Sequence, residues 1–502
     1  MSITQFAHLN GKAFVSSLDR DEQKSAGQFM TPPPIARFMA QRVVAEVLSD
    51  TLRVLEPSAG AGILAAAVVQ ELLLRGDRPS RIEVTLYEKD ERLKPYLRRL
   101  ADRMRRAAKS LNVDLSCSVV IGDFLLSKLA LSARPEFDIC IANPPYFKLK
   151  KSDLRAKAHA YAVYGQPNIY GLFQAATAGL LRPTGRWCFI TPRSWLDGSY
   201  FAAVRRHLFR YLHIDAMHLF ESRHAHFYED SILQEAVIAW ATAQSVRSGD
   251  IAFSKSQGVL DLPQAELFAI PNTEVIGADN EMAIVIPIAA GANRGNNDFE
   301  GWSDTLFSLG LKVSTGPVVP FRSKEYVLEA SNKGSVPLLW MQHVKHAGIS
   351  WPINKKREHI LATAASAWML LKNANYVVMR RFSPKEDVRR VTAAPYIAGS
   401  LPGEFIGLEN HLNYIHRPTG ELSEAETLGL SAFLNSSIVD SYFRAVSGST
   451  QVNATELRKL RFPPLHLLVA IGNLLPRSHT LAQADQAVAE VLGIERMRAA
   501  VP

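Results

Sequence analysis

The sequence predicts an α/β protein in which a doubly wound, mostly parallel sheet is followed by a second domain of α+β structure. From about residue 50 to residue 245, strand-like and helix-like hydrophobic periods alternate, as they do when each helix crosses over a parallel sheet. After about residue 245 this rhythm gives way to Pro, Gly, Asn and Ser punctuation. At 502 residues the chain also exceeds what one hydrophobic core usually supports. We therefore expect two domains, residues 1–245 and 246–502.

The first domain contains seven strand candidates with helix candidates between them. In chain order the strand candidates are LRVLEP, RIEVTLYEKD, SCSVVIGD, FDICIAN, RWCFITP, IDAMHLF and EAVIAWATA. The helix candidates are GAGILAAAVVQELLLRG, DERLKPYLRRLADRMRRAAKSL, NIYGLFQAATAGLLRPTG and GSYFAAVRRHLFRYL. This order predicts a seven-stranded sheet covered by crossover helices.

The composition is that of a globular protein, with 47% hydrophobic and 21% charged residues. No stretch approaches the roughly 18 apolar residues of a membrane span, and the N-terminus lacks the apolar core of a signal peptide. We therefore expect a cytoplasmic protein with no membrane partner. The three cysteines are far apart and lack the His spacing of a zinc site, so no metal is expected. The net charge of +9 favours a polyanionic partner without establishing one.

The turn EPSAGAG lies between the first strand and the first helix of this pattern. Its glycines let the backbone approach a ligand at the carboxyl edge of the sheet. The turn lacks the third glycine of the dinucleotide pattern and the lysine of a P-loop, so it suits a cofactor without a pyrophosphate. S-adenosylmethionine is the leading candidate, and an ordinary tight turn is the alternative. The candidate cofactor-binding residues here are Glu56, Ser58, Ala59, Gly60 and Gly62.

Acidic residues also end the next two strands. Glu88 is placed to accept hydrogen bonds from both ribose hydroxyls of a nucleoside. Asp123 could accept from an adenine amino group, while the ring of Phe124 packs on the purine. Either acid alone could be a solvated strand end, but three such ends on successive strands favour a cofactor site.

The fourth strand delivers Asn143, Pro144, Pro145 and Tyr146. Prolines fix the backbone and have no amide hydrogen, so the Asn143 side-chain oxygen and the Pro144 carbonyl can both accept from one planar amino group. Accepting both hydrogens frees the nitrogen lone pair to attack a sulfonium methyl. Tyr146 offers a ring on which an unstacked base can lie. A proline-rich exit from a strand is the alternative interpretation.

EPSAGAG followed by ANPPY resembles the class I S-adenosylmethionine-dependent amino-methyltransferases, particularly the DNA adenine-N6 methyltransferases of type II restriction-modification systems. The resemblance implies a Rossmann-like catalytic domain, extrusion of the target base and a C-terminal target-recognition domain. GQFMTPPPIARFMA is similar to the N-terminal motif of this family, in which Thr31 would bind the methionine carboxylate. Phe227 resembles the aromatic residue that packs against the flipped base; a core aromatic is the alternative.

Three segments of the second half, SLGLKVSTGPVVPFRSKEY, MRRFSPKEDVRR and GSTQVNATELRKLRFPP, resemble segments of the PstI-like branch of these enzymes. This resemblance implies double-stranded DNA as a partner and a possible cognate restriction endonuclease. Independently of this resemblance, basic residues alternate with aromatic ones there, as phosphate binding favours. A solvated charged surface would look the same. Gln451 and Asn453 could read adenine in the major groove or simply cap a loop. The candidate phosphate-binding residues are Arg322, Lys324, Arg380 and Arg381, in basic clusters that also contain Lys385, Arg389 and Arg390.

Other functions share parts of this pattern. Cytosine-N4 methylation needs the same acceptors, but the related families more often have Ser in place of the leading Asn. Glutamine-amide methylation of a protein also uses Asn-Pro-Pro-Tyr, although it does not explain the basic second half. A fused nuclease or an inert, DNA-binding methylase fold are the remaining alternatives. We expect an adenine-specific DNA methyltransferase.

Overall fold

The computed structural model divides into two compact units, Met1–Ile286 and Pro287–Pro502. It describes residues 1–18, 31–45, 47, 49–132, 134–220, 236–244, 249–265, 267–277, 282–284, 301–346, 348–383, 387–446, 452, 457–458 and 460–494. The boundary expected at residue 245 thus falls inside the first unit, because two further strands continue its sheet.

The described α-helices of the first unit flank this sheet or connect its strands. They are α1 Ile3–Val15, α2 Pro33–Val44, α3 Ile63–Leu74, α4 Lys94–Lys109, α5 Lys128–Ser132, α6 Leu154–Ala158, α7 Ile169–Ala178, α8 Ala202–Tyr211 and α9 Asn272–Val275. The helix α3 is almost wholly apolar because it is buried between the sheet and the helices α1 and α2.

Nine strands form one sheet in the described part of the first unit. They are β1 Thr51–Glu56, β2 Arg81–Glu88, β3 Asp114–Ile121, β4 Phe137–Ala142, β5 Leu181–Pro192, β6 Leu212–Phe220, β7 Ala236–Ala243, β8 Asp250–Ser256 and β9 Leu267–Pro271. Their order is β3-β2-β1-β4-β5-β7-β6-β8-β9. The strands β1 to β5 pair in parallel, whereas β7 runs antiparallel to both β5 and β6.

All seven predicted strands are present, and the sheet has two strands more than the predicted seven. The strand β8 pairs in parallel with β6, and β9 pairs antiparallel with β8. Both lie after residue 245, where Pro, Gly, Asn and Ser residues interrupt the alternating pattern of the sequence. Pairing with a distant strand, which a local pattern does not reveal, makes these short segments strands.

Both faces of the sheet are covered, and β4 illustrates why its sequence from Ile139 to Ala142 is apolar throughout. Ile139 and Ile141 belong to one hydrophobic core, while Cys140 and Ala142 belong to the core on the opposite face. A strand buried on both sides has no polar alternation. The central strands are therefore fixed relative to one another. The candidate site residues lie at or just after the carboxyl ends of these strands.

The second unit combines three small sheets with helices. Its described strands are β10 Lys312–Thr315, β11 Val327–Leu328, β12 Ser335–Leu339, β13 Val344–Lys345, β14 Gly348–Ile349, β15 His359–Leu361, β16 Leu370–Lys372, β17 Tyr376–Arg380, β18 Ala393–Tyr396, β19 Phe405–Leu408 and β20 Leu412–His416. The sheets have the orders β10-β20-β17-β18, β11-β15-β12-β19-β16 and β13-β14. The described helices are α10 Glu424–Asn435, α11 Ser437–Val446, α12 Leu465–Asn473 and α13 Leu481–Leu492.

The four-stranded sheet of the second unit also separates two cores. Val377 and Met379 pack with residues of the C-terminal helices, whereas Tyr376 and Val378 face the other core. This alternation along β17 is the pattern of a strand whose two faces pack against different layers. Within the part of the chain that the structure describes, no helix is both long enough and apolar enough to cross a bilayer.

Candidate functional site

A cavity of about 520 Å³ lies at the carboxyl ends of β1, β2, β3 and β4. Eleven of the predicted site residues line it: Thr31, Glu56, Ser58, Ala59, Gly60, Glu88, Asp123, Phe124, Asn143, Pro144 and Pro145. Gly62 and Tyr146 are placed beside the cavity and do not line it. The parallel sheet thus brings together Glu56 and Pro145, which are almost ninety positions apart in the chain, and Thr31 joins them from before the first strand.

The glycine-rich turn is tied to the end of the neighbouring strand. The Gly60 N–H donates to Glu88 Oε2 at 2.7 Å, and the Ala59 N–H donates to the Tyr87 carbonyl at 2.8 Å. Gly60 has a φ of +54°, which favours glycine at this position. These bonds hold the backbone of the turn open toward the cavity and orient the Glu88 carboxylate.

Gly62 is required for packing. It is the N-cap of α3 with a φ of +80°, and a Cβ atom there would lie 2.5 Å from Leu100 Cδ2 of α4. A larger residue would therefore be strained by the backbone conformation, and the Leu100 side chain would have to move to make room for it. The glycine spacing that suggested ligand contact at Gly62 is explained in the structure by the close approach of two helices.

Glu88 is 8% exposed, and each of its carboxylate oxygens already accepts one backbone hydrogen. Oε2 accepts from Gly60, and Oε1 accepts from the Asp90 N–H at 2.8 Å. Burial raises the pKa of Glu88, although these N–H groups oppose the shift. Since a carboxylate oxygen has a second lone pair, Glu88 can still accept from two neighbouring hydroxyl groups.

Glu56 is 1% exposed, and its Oε2 accepts from the Ala65 N–H at 2.9 Å near the start of α3. Burial raises the pKa of Glu56 well above its ordinary value, and the charge of Glu88 adds to the rise, whereas the Ala65 and Leu64 N–H groups oppose it. Two buried acids at one cavity favour a ligand that carries positive charge, because a cation stabilises their ionised forms.

Replacing Glu56 by glutamine is expected to stabilise the ligand-free protein at about pH 8 and to have little effect near about pH 5. The folded pKa of Glu56 lies above the unfolded value, so its contribution to stability is complete at low pH and is lost as the pH rises through the folded pKa. Glutamine keeps an oxygen for the Ala65 N–H and never ionises. The unfolding temperature, measured by calorimetry against pH, should therefore rise only at the higher pH.

A matched control is Glu83→Gln on β2. The Arg53 guanidinium lowers the pKa of Glu83, so the contribution of this side chain is lost as the pH falls. The Glu83 variant should accordingly show the opposite sign near neutral pH. A Glu56→Gln protein that is less stable than the parent at every pH would contradict a raised pKa.

Asp123 and Phe124 form the wall of the cavity after β3. Phe124 is buried and stacks on Phe173 of α7, with ring centroids 5.7 Å apart and planes 15° apart. Asp123 Oδ1 accepts from the Leu125 N–H at 3.2 Å, and Oδ2 lies 3.3 Å from the Lys89 ammonium. This wall combines an aromatic surface with an oriented carboxylate.

The sequence pattern did not reveal several residues of this wall. Arg155 of α6 lies 3.7 Å from Asp123 Oδ2 and forms a two-pronged ion pair with Asp153. Arg155 and Phe147 both line the cavity, as do Ile169 and Phe173 of α7. The helical pattern around Ile169 indicates only a helix that crosses over the sheet. The available sequence signal for these residues is their position shortly after Asn-Pro-Pro-Tyr.

The Asn143 side chain connects three segments of the first unit. Its Nδ2 donates to Thr31 Oγ1 at 3.0 Å, and its Oδ1 accepts from the Tyr146 hydroxyl at 2.6 Å. The Tyr146 hydroxyl also lies 3.2 Å from the carbonyl oxygen of Ile190 on β5. The Tyr146 ring packs edge-on against Tyr170, with centroids 6.1 Å apart, and burial raises the pKa of its hydroxyl. An oriented amide oxygen thus stands beside the proline-fixed backbone.

The candidate basic residues of the second unit occupy different environments. Arg322 and Lys324 are exposed, and the Arg322 guanidinium lies 5.2 Å from the ring centre of Phe321. Arg380 and Arg381 are half-buried and donate to the carbonyl oxygens of Val344 and Asn410. Backbone bonding of this kind supports the local fold. The candidates Phe227, Gln451 and Asn453 lie outside the described residues.

Comparison with known proteins gives relatives over nearly the whole chain. A sequence profile of the family described as Eco57I restriction-modification methylase matches residues 82–227. The type II methyltransferase M.BsuBI of Bacillus subtilis is 34% identical over 461 residues, which is 89% of each chain. The type II methyltransferase M.PstI of Providencia stuartii is 31% identical over 91% of each chain.

Two solved structures share the fold at low sequence identity. The type IIL restriction-modification enzyme MmeI in complex with DNA gives a TM-score of 0.54 at 12% identity, over 97% of this chain and 75% of that one. The DrdV-DNA complex gives a TM-score of 0.51 at 12% identity, over 94% of this chain and 59% of that one.

Proposed function

Because this chain belongs to the type II methyltransferases of restriction-modification systems, we propose that it transfers a methyl group from S-adenosylmethionine to the exocyclic amino group of adenine in duplex DNA. One observation carries the transfer to an amino group: Asn143 and the turn containing Gly60 line the same cavity. Adenine is proposed over cytosine because Asn, and not Ser, leads the Asn-Pro-Pro-Tyr motif. An amide acceptor held beside a cofactor turn is what methylation of a planar amine requires. The modified DNA would be protected from a cognate restriction endonuclease.

The cavity suits S-adenosylmethionine in size and chemistry. Its volume of about 520 Å³ falls within the range of small-molecule sites. Two buried acids with raised pKa values, Glu56 and Glu88, favour a ligand with positively charged groups. The stacked pair Phe124 and Phe173 offers an aromatic wall for a purine. The residue set therefore fits a cationic nucleoside without a pyrophosphate.

Each cavity residue takes a distinct role in this proposal. Glu88 accepts from the ribose hydroxyls, and Asp123 accepts from the adenine amino group of the cofactor. Thr31 donates its hydroxyl hydrogen to the methionine carboxylate. When bound, the cofactor supplies a methyl group activated by the sulfonium charge. The turn leaves room for the methionine part of the ligand along the backbone of Glu56, Ser58, Ala59 and Gly60.

Asn143 and Pro144 activate the target amine. The Asn143 Oδ1 atom and the Pro144 carbonyl oxygen accept its two hydrogens, which draws the nitrogen lone pair out of conjugation with the base. Pro145 keeps this backbone free of competing donors. Neither a covalent intermediate on the chain nor a general base of unusual pKa is needed for these contacts.

The target adenine would reach these residues by rotating out of the duplex, at a cost on the order of a few kcal/mol. We assign stacking on the extruded base to Tyr146 and Phe227. Phosphate contacts from the second unit, with Arg322 and Lys324 as its exposed candidates, would offset part of this cost. Arg380 and Arg381 would contribute mainly by supporting the loops that carry such contacts, and Gln451 and Asn453 remain candidates for reading bases.

Single-molecule sequencing of DNA from cells that express the protein tests the proposal directly. We expect N6-methyladenine in one short sequence context and no mark on cytosine, because an oriented Asn143 oxygen is assigned to the adenine amine. DNA from cells that express an Asn143→Ala protein is the matched control and should lack the mark. N4-methylcytosine, or methylated glutamine in a co-expressed protein with unmodified DNA, would reject the adenine assignment.

A further inference from the structure

The Asn143 amide is hydrogen-bonded to hydroxyl groups on two separate segments. Thr31 immediately precedes α2 and accepts from Asn143 Nδ2 at 3.0 Å. Tyr146 follows β4 and donates to Asn143 Oδ1 at 2.6 Å. Thr31 is 3% exposed, so water does not readily replace its hydroxyl. Turning the amide would require both of these bonds to break.

The oxygen and the NH2 group of an amide have nearly the same shape but opposite hydrogen-bonding roles. A hydroxyl can serve either role, so Tyr146 alone does not determine which end of the amide faces it. If the amide turned over, Tyr146 could accept from Nδ2 and donate to the Ile190 carbonyl oxygen, which lies 3.2 Å away. When the Thr31 hydroxyl donates its own hydrogen to another group, its oxygen can only accept. Thr31 then bonds Nδ2 and favours the orientation in which Oδ1 faces Tyr146.

We propose that Thr31 is a positioning residue that, by holding Asn143 Nδ2, makes the site select a target base with an amino group over one with a carbonyl oxygen at the same position. The inference rests on the proposed function. A fixed Oδ1 accepts from the N6 amine of adenine and repels the O6 atom of hypoxanthine. An amide free to turn presents its NH2 group to O6 and accepts either base.

Affinity for duplexes that carry adenine or hypoxanthine at the modified position tests this role without relying on turnover. Fluorescence anisotropy would be measured with the full chain saturated with S-adenosylhomocysteine, for the parent, Thr31→Val and Thr31→Ser proteins. The ratio of adenine affinity to hypoxanthine affinity should be about tenfold or more higher for the parent than for Thr31→Val, the effect of one mismatched buried hydrogen bond. Thr31→Ser should keep the parent ratio because serine restores the acceptor.

Two controls separate this role from general damage. Hypoxanthine opposite thymine is easier to extrude than adenine, but this difference is the same for every variant. A change in the ratio of the two affinities between variants therefore reports the contacts of the extruded base in the pocket. Calorimetric titration shows that each variant is saturated with S-adenosylhomocysteine. Thermal unfolding shows that each variant is folded. If folded, saturated Thr31→Val keeps the parent ratio, the positioning role is overturned. If the parent itself modifies no adenine, the proposed function fails instead.

Discussion

Replacing Asn143 by alanine is expected to lower methyl transfer to adenine by about 10²–10³-fold or more, the loss seen when one oriented polar group is removed from a transition state. The side chain supplies one of two acceptors for the target amine, and the Pro144 carbonyl alone cannot take both hydrogens along separate directions. Cofactor affinity and overall DNA affinity should change little, because the turn at Gly60, the acid at Glu88 and the second unit are untouched. Single-turnover methylation and DNA titration would measure the two effects separately.

Asn168 provides a matched control for this substitution. It is the N-cap of α7, its Oδ1 atom has no hydrogen-bond partner among the described residues, and it does not line the cavity. Asn168→Ala therefore removes the same chemical group nearby, and its methyl transfer should stay within about threefold of the parent, as expected for a residue outside the site. Comparable rates for the two variants would show that Asn143 does not contact the amine.

Much of the cavity can be predicted from local patterns alone. Glu56, Glu88, Asp123 and Asn143 each end a strand of the parallel set β1 to β4 or follow one within two residues. A parallel sheet places all such ends at one edge, so the spacing of strands and turns is sufficient to bring these residues together. No knowledge of side-chain packing is needed for this step.

Side-chain environment is harder to predict, because it depends on residues distant in sequence. Arg390 belongs to a basic segment that suggests phosphate binding, yet its guanidinium is fully buried and bonds the Ser383 carbonyl, while its backbone N–H donates to Asp440 at 2.6 Å. Neighbouring Arg389 forms an ion pair with Asp485, almost a hundred residues along the chain. A cluster of basic letters therefore does not separate a binding surface from internal ion pairs.

The Tyr146 hydroxyl and the Thr31 hydroxyl show the same limit within the site. Their residues belong to recognisable motifs, but the bonds that join both to Asn143 arise only when three segments meet in the folded chain. The strands β8 and β9 depend on pairing partners in the same way. Local pattern thus predicts which groups reach the edge of the sheet, and tertiary contacts determine what each group does there.

Replacing Gly429 by alanine is expected to destabilise the second unit by about 3 kcal/mol or more, at the upper end of overpacking effects. A Cβ atom on this residue of α10 would lie 1.7 Å from the Leu468 carbonyl oxygen of α12, and one on Gly472 would lie 1.9 Å from the Ala425 carbonyl oxygen. Both obstacles are backbone atoms, so the two helices must separate. Hydrogen exchange should rise across Glu424–Asn435 and Leu465–Asn473 and stay unchanged in the first unit.

The matched control is Gly76→Ala in the first unit, where a new Cβ atom would have no neighbour within 4 Å. Alanine is favoured over glycine in a helix by about 1 kcal/mol, so a destabilised Gly429→Ala protein cannot be explained by helix propensity. Since the described cavity residues all belong to the first unit, this variant should still bind S-adenosylmethionine in calorimetry while losing site-specific methylation of DNA. Normal methylation by a protein with an unfolded second unit would instead place target recognition in the first unit.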